Sequence, residues 1–362
     1  MVSLFDPLQV GSIQTANRIW MAPLTRGRAS REHVPSPENV EYYAQRAHAG
    51  LIISEATGVN RVGLGWPYTP GIWSKEQVEG WKKVTKAVHE RGGKIIVQLW
   101  HMGRASHSNV SGFQPVSSSA TKFPNKVHTY DGKLDPEVAH PLTTEEIKQT
   151  VKDYGIAAKN AIEAGFDGVQ VHSANGYLID EFLRDSDNKR TDEYGGSIRN
   201  RIRFLEEVLD EVTAVVGADR TSVWFSPNGE FQGISDSNPE ALFTEVAKRM
   251  NKYKLAFVEL REDGPHTTFT RSDLPPLHPI FNKLYEGTLV LNQEYTRKSA
   301  EKALDSGIAA AISFGQPFIA NPDLVEKIAH KDDDWAALDR KTLYTRGPEG
   351  YLDYPVKYNL NM

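Results

Sequence analysis

The strongest constraint on this 362-residue chain is a repeated pattern: an aliphatic run, a loop, then a helical stretch with apolar residues three or four apart. That alternation marks βα units. The runs that read as strands are Arg18 to Leu24, Leu51 to Thr57, Lys94 to Trp100, Asp167 to His172, Thr221 to Phe225, Ala256 to Leu260, Thr288 to Leu291 and Ala310 to Phe314. Together they reach the number that closes a parallel barrel. The predicted fold class is therefore α/β, a (β/α)8 TIM barrel forming a single domain over residues 1–362. A hairpin in Leu8 to Asn17 would close the N-terminal end, and an excursion or lid over residues 102–142 would follow the third strand. That connection runs for about 40 residues, a length usually given to functional lids. A doubly wound open sheet is the competing architecture, but no Gly-x-Gly-x-x-Gly follows an early strand to support it.

The helices carry their own boundary signals. Ser74 with Gln77 and Thr143 with Glu146 form capping boxes ahead of apolar stripes, and Pro239 suits a helix's first turn. Composition bounds the function. A net charge of −5 gives no reason to expect binding to a phosphate backbone. No apolar stretch is long enough to span a bilayer, and neither terminus carries an evident targeting signal, so a cytoplasmic location is expected. With no cysteine, thiol nucleophiles and thiolate metal sites are excluded. Small molecules are the expected partners, with no nucleic acid and no membrane, and the chain is expected to be a monomer or homodimer.

In a βα barrel the C-terminal strand ends converge on one mouth. Those ends supply Thr25, Glu55, Gln98, Trp100, His101, Glu259, Arg261 and the dense cluster Val171-His-Ser-Ala-Asn-Gly-Tyr-Leu178. His172 and Asn175 can both hydrogen-bond one ligand oxygen, and Tyr177 offers a phenolic proton. The competing reading is that they cap a strand end. His101 and His107 lack a carboxylate partner at a metal-site spacing, so no metal is expected. Arg190-Thr-Asp-Glu-Tyr-Gly-Gly-Ser197, Asp180 and Glu181 read as structural.

Several motifs in order resemble the old yellow enzyme family of flavin-dependent ene-reductases. They are Met21-Ala-Pro-Leu-Thr-Arg26, Ile53-Ser-Glu-Ala-Thr57, Pro70-Gly-Ile-Trp73, Val97-Gln-Leu-Trp-His101, the His172 cluster, Arg190 to Ser197 and Ile319-Ala-Asn-Pro-Asp-Leu324. The resemblance implies an FMN at the barrel mouth, reduced by NAD(P)H. It implies cofactor contacts at Pro23, Leu24, Thr25, Ala56, Gln98 and Gly315. His172 and Asn175 would bind the carbonyl of an enone substrate, with Tyr177 as proton donor. Tyr68, Trp100 and Tyr351 would line the substrate pocket.

Three positions depart from the family pattern. Trp224 stands where an arginine reaches the flavin edge, Gln293 replaces a glycine near the phosphate, and Gln316 replaces a phosphate-binding arginine. Losing two charge-assisted contacts of about 1.5–3 kcal/mol each weakens binding by roughly two to four orders of magnitude. The departures lead to the expectation that no cofactor is bound. Trp224 would then join the substrate pocket, and redox-neutral chemistry would follow: isomerisation, dehydration, or cyclisation including cycloaddition. The alternative is a conventional NAD(P)H- and FMN-dependent ene-reductase. A third reading is a non-catalytic small-molecule binding protein.

Overall fold

The computed structural model describes residues 2–267 and 272–358. Asn359 to Met362, read above as free of a targeting signal, lie outside them. Eight strands close into a barrel: β1 (Ile19–Met21), β2 (Ile52–Gly58), β3 (Ile95–Trp100), β4 (Gly168–His172), β5 (Thr221–Phe225), β6 (Phe257–Arg261), β7 (Leu289–Asn292) and β8 (Ala311–Phe314). All neighbours pair in parallel, and β8 joins β1 to complete the ring. The open-sheet alternative is thereby excluded. The first predicted strand runs to Leu24, but β1 ends at Met21 because Pro23 has no amide proton for the ladder.

Alternation sends one set of strand residues outward against the helices and the other into the barrel. The inward set begins with an apolar floor of Trp20, Ile53, Ile96, Phe257, Val290 and Ala311. Val10 and Ile13 of the predicted N-terminal hairpin, Leu8–Val10 paired with Ile13–Thr15, pack beneath it. The barrel is thus plugged from below, and ligand space is confined to the opposite end.

The helices start where their caps predict. Ser74 and Thr143 each complete a capping box, before Lys75–Glu90 and Thr144–Glu163, and Asn238 caps Pro239–Met250. Each such cap contributes about 1 kcal/mol and fixes where the chain turns back over the sheet. The excursion after β3 holds a helical turn, Ser108–Ser111, and a hairpin of Val127–Thr129 with Gly132–Leu134. Arg190 anchors its base by donating from Nη1 to the carbonyls of Ser118 (2.9 Å) and Leu142 (2.6 Å). This agrees with the structural reading of the Arg190 segment.

Candidate active site at the barrel mouth

Above the apolar floor the barrel turns polar. Gln98, Gln170, Glu259 and Ser313 are all fully or nearly fully buried and form one hydrogen-bonded chain. Gln98 Nε2 donates to Gln170 Oε1 (2.8 Å), Gln170 Nε2 to Glu259 Oε2 (2.6 Å), and Ser313 Oγ to Glu259 Oε1 (2.5 Å). Pairing between β2 and β3 shifts register between Ile53 and Ala56, so Ala56 lies opposite Gln98. Such irregularities re-aim side chains, and this one brings two expected ring-contact residues together.

The next layer is aromatic. His172, on β4, packs edge-on to Trp224 (4.9 Å between centroids) and to Tyr177 (5.1 Å), while Trp100 meets Tyr177 at 4.9 Å. Trp224 therefore faces the mouth. It is 5% exposed, and its indole Nε1 is buried with no hydrogen-bond partner. Trp100 Nε1 is also unpartnered. Two buried donors without acceptors are costly, and each is available to a ligand or a water that reaches the mouth.

Local geometry fixes what each catalytic candidate presents. The Ala174 amide donates to His172 Nδ1 (3.4 Å), which leaves Nε2 as the protonated nitrogen. Burial pushes the His172 imidazole down to about 3, so it is a neutral donor. Asn175 adopts a left-handed backbone (φ 59°), and its amide donates to Ser226 Oγ (2.8 Å). Its Oδ1 accepts from Arg261 Nη1 at 2.5 Å, so the Nδ2 donors remain for another partner. Burial raises the Tyr177 phenol above its ordinary value, which keeps it protonated. Beneath the loop, buried Asp180 pairs with Arg184 (2.9 Å) and accepts from the Gly176 amide (3.0 Å). Asp180 and Glu181 are occupied in this packing, Glu181 accepting from Ser117 Oγ (2.7 Å).

The cofactor positions divide into two ends. At the ring end Pro23 is buried, Leu24 and Thr25 are partly exposed, and Ala56 and Gln98 are buried. A Cβ added to Gly315 would lie 3.3 Å from Leu24 Cδ1, so glycine keeps the gap between these strand ends open. At the other end Gln293 and Glu294 hold left-handed φ values of 103° and 50°. The backbone thus takes a glycine-like conformation at two residues that are not glycine, at a cost of order 1–3 kcal/mol per residue. The Gln293 side chain braces the Arg261–Asp263 ion pair, donating to Asp263 Oδ1 (3.0 Å) and accepting from Arg261 Nε (3.3 Å). Gln316 is partly exposed, and its Oε1 lies 3.4 Å from Arg340 Nη2. A guanidinium from the C-terminal segment therefore stands beside Gln316.

The expected pocket residues do not all gather. Trp100 joins His172 and Tyr177, but Tyr351 is fully buried, stacked on Tyr42 at 4.1 Å, with its hydroxyl accepting from Asn39 Nδ2 (2.9 Å). Tyr351 is a packing residue here, its ring covered by the Arg26 and Arg28 guanidinium groups. Tyr68 is held between Tyr130 (5.2 Å) and the Arg346 guanidinium (4.0 Å). Arg261, at the mouth with no role assigned from the sequence, and Ser226, which alternation puts on the same side of β5 as Trp224, both hold the Asn175 loop. Ser226 closes the β5 strand beside Pro227, a position where only its loop partner gives it meaning.

The family model for NADH:flavin oxidoreductase / NADH oxidase matches residues 3–334. A putative 12-oxophytodienoate reductase 3 from Oryza sativa subsp. japonica is 42% identical over 98% of this chain and 92% of that protein. A probable flavin mononucleotide-dependent alkene reductase from Leishmania infantum is also 42% identical, over 97% of each chain. The solved structure of the old yellow enzyme homologue from Zymomonas mobilis superposes with a TM-score of 0.96 at 55% identity, covering 98% of this chain and 99% of that one. The chain belongs to the NADH:flavin oxidoreductase / NADH oxidase family, as a member of the old yellow enzymes.

Proposed function

We propose that this protein is an NAD(P)H- and FMN-dependent ene-reductase that reduces the activated C=C bond of an enone, with its FMN held more weakly than the family pattern provides. The reading is carried by His172 packed edge-on against Tyr177, with Asn175 on the same loop. This reverses the order drawn from the sequence, where loss of FMN led: the relatives are named as reductases, one of them FMN-dependent.

The residues present suit an isoalloxazine ring. Pro23, Leu24, Thr25, Ala56 and Gln98 provide the ring contacts the family uses, Gly315 leaves its gap open, and the unpartnered Trp224 Nε1 offers a donor where the family has a guanidinium. At the phosphate end, the conformation of Gln293 and Glu294 supports the fit, and Arg340 supplies a cation beside Gln316. When bound, FMN would supply the two-electron hydride chemistry that couples NAD(P)H to reduction of an activated C=C bond.

The protein's own groups handle the carbonyl and the proton. His172 Nε2 and Asn175 Nδ2 donate to the carbonyl oxygen, drawing electron density from the alkene and stabilising the developing enolate. Arg261 holds Asn175 in the donating orientation. Tyr177 gives its proton to the α-carbon. Because the imidazole is neutral down to about 3 and the phenol is raised, neither role switches off across ordinary pH.

Tyr177→Phe is therefore expected to lower turnover by about 10²–10⁴-fold while FMN affinity stays unchanged. The wild-type rate on an activated alkene, followed as NADPH oxidation, is expected to stay level from pH 6 to about pH 9 as far as these two groups set it. A Tyr177→Phe enzyme with wild-type turnover would remove the proton-donor role. The redox-neutral reading rests on the departures at Trp224, Gln293 and Gln316, and it predicts turnover of an enone with no nicotinamide consumed.

A further inference from the structure

Glu259 is not used by the chemistry above, yet it places an acidic side chain inside the barrel. Its carboxylate is fully buried, and its hydrogen-bond partners among the described residues are Gln170 and Ser313, both neutral. It lies directly across the β5–β6 ladder from Trp224, and one hydrogen-bonded amide, Gln170, separates it from Gln98. A carboxylate without a cation in such a place is costly, and purely structural packing does not require one.

Its surroundings decide what it does. Trp224 and Ser222 come from β5, Val290 and Asn292 from β7, Ser313 from β8 and Gln170 from β4, and none of them is charged. The titratable or charged groups sharing the barrel interior with it are His172 and Arg261, each two residues nearer the mouth on its strand. His172 is neutral, and Arg261 is paired with Asp263. Negative charge on Glu259 is thus left uncompensated beneath the ring end of the site. A carboxylate also only accepts, so Gln170 must turn its Nε2 toward Glu259 and its Oε1 toward Gln98, which fixes the direction of the amide chain at the ligand.

We propose that Glu259 is a positioning and electrostatic residue that biases the mouth toward the neutral, oxidised form of the ring and against the reduced form. This rests on the ene-reductase reading. Two-electron reduction places negative charge on the ring's pyrimidine edge, the edge where the family arginine has become Trp224. Here the cation that would stabilise this charge is absent, and a carboxylate stands beside its position. The preference follows ionisation of Glu259, whose carboxyl burial raises to about 7.

The test compares wild type and Glu259→Gln, each prepared flavin-free, in their affinities for oxidised and reduced FMN at pH 8.5 and pH 5.5. At pH 8.5 the variant is expected to favour reduced FMN at least about tenfold more than wild type does, a rise of about 30 mV for the two-electron couple. At pH 5.5 the two proteins are expected to agree. Equal ratios at pH 8.5, with FMN bound by both, would overturn this inference and leave the ene-reductase reading standing. Failure of both to bind FMN would overturn both. Should Glu259→Gln not fold, the wild-type ratio is followed against pH with Ser313→Ala beside it. Loss of a donor to the carboxylate is expected to move the bend in that profile to higher pH, and a profile without a bend overturns the proposal.

Discussion

Replacing Trp224 and Gln316 together by arginine is expected to tighten FMN binding by about two to four orders of magnitude, as read by fluorescence titration. Each substitution restores a charge-assisted hydrogen bond of about 1.5–3 kcal/mol, and every 1.4 kcal/mol is tenfold in affinity. The sites are far enough apart on the ligand, one at the ring edge and one at the phosphate, for the effects to add approximately. Trp224 gives up an edge-on contact with His172 but leaves no buried indole donor unpaired. A new arginine there faces Glu259 across the ladder, so part of its gain comes from neutralising that carboxylate. An unchanged affinity in the double variant would show that the departures are not what weakens the cofactor's hold.

Glu259→Gln is expected to stabilise the fold by about 3 kcal/mol at pH 8.5, with the gain fading toward pH 4.5. The folded carboxyl is raised from 4.5 to about 7, so the native state holds its proton longer than the unfolded chain does. Stability is therefore lost as pH rises between those values and stays lower above them. Glutamine imitates the protonated form: its oxygen accepts from Gln170 and its nitrogen donates to Ser313. Urea midpoints of the two flavin-free proteins check this. A gain equal at both pH values would mean that Glu259 does not ionise in the native protein.

Most of the barrel was legible in the sequence because its causes are local. Caps such as Ser74 with Gln77 act within a single turn, and the Val- and Ile-rich runs betray strands buried on both faces. The chemistry at Val171 to Leu178 was legible for the same reason: its polar groups lie within one loop. What the sequence withheld depends on neighbours far along the chain. Tyr351 is set by Tyr42 and Asn39, more than 300 positions away, and its packing cannot be read from its own segment. Arg261 gains a role only when β6 lies beside Asn175. Glu259 was visible as a polar strand-end residue, but its isolation from any cation emerges only from the residues that surround it in the barrel. Trp224 lies between these cases. Its inward direction followed from alternation along β5, while its contact with His172 and its unpartnered Nε1 needed the closed barrel.

The central claim is that the mouth still takes FMN despite the changed residues at its two ends. Titrating the purified, flavin-free protein with FMN, while following the visible spectrum, tests it directly. Saturable binding of one FMN per chain, with NADPH bleaching the bound chromophore and an enone restoring it, is the predicted result. No saturation at millimolar FMN, alongside turnover of an enone without NADPH, would contradict it and return the chain to redox-neutral chemistry.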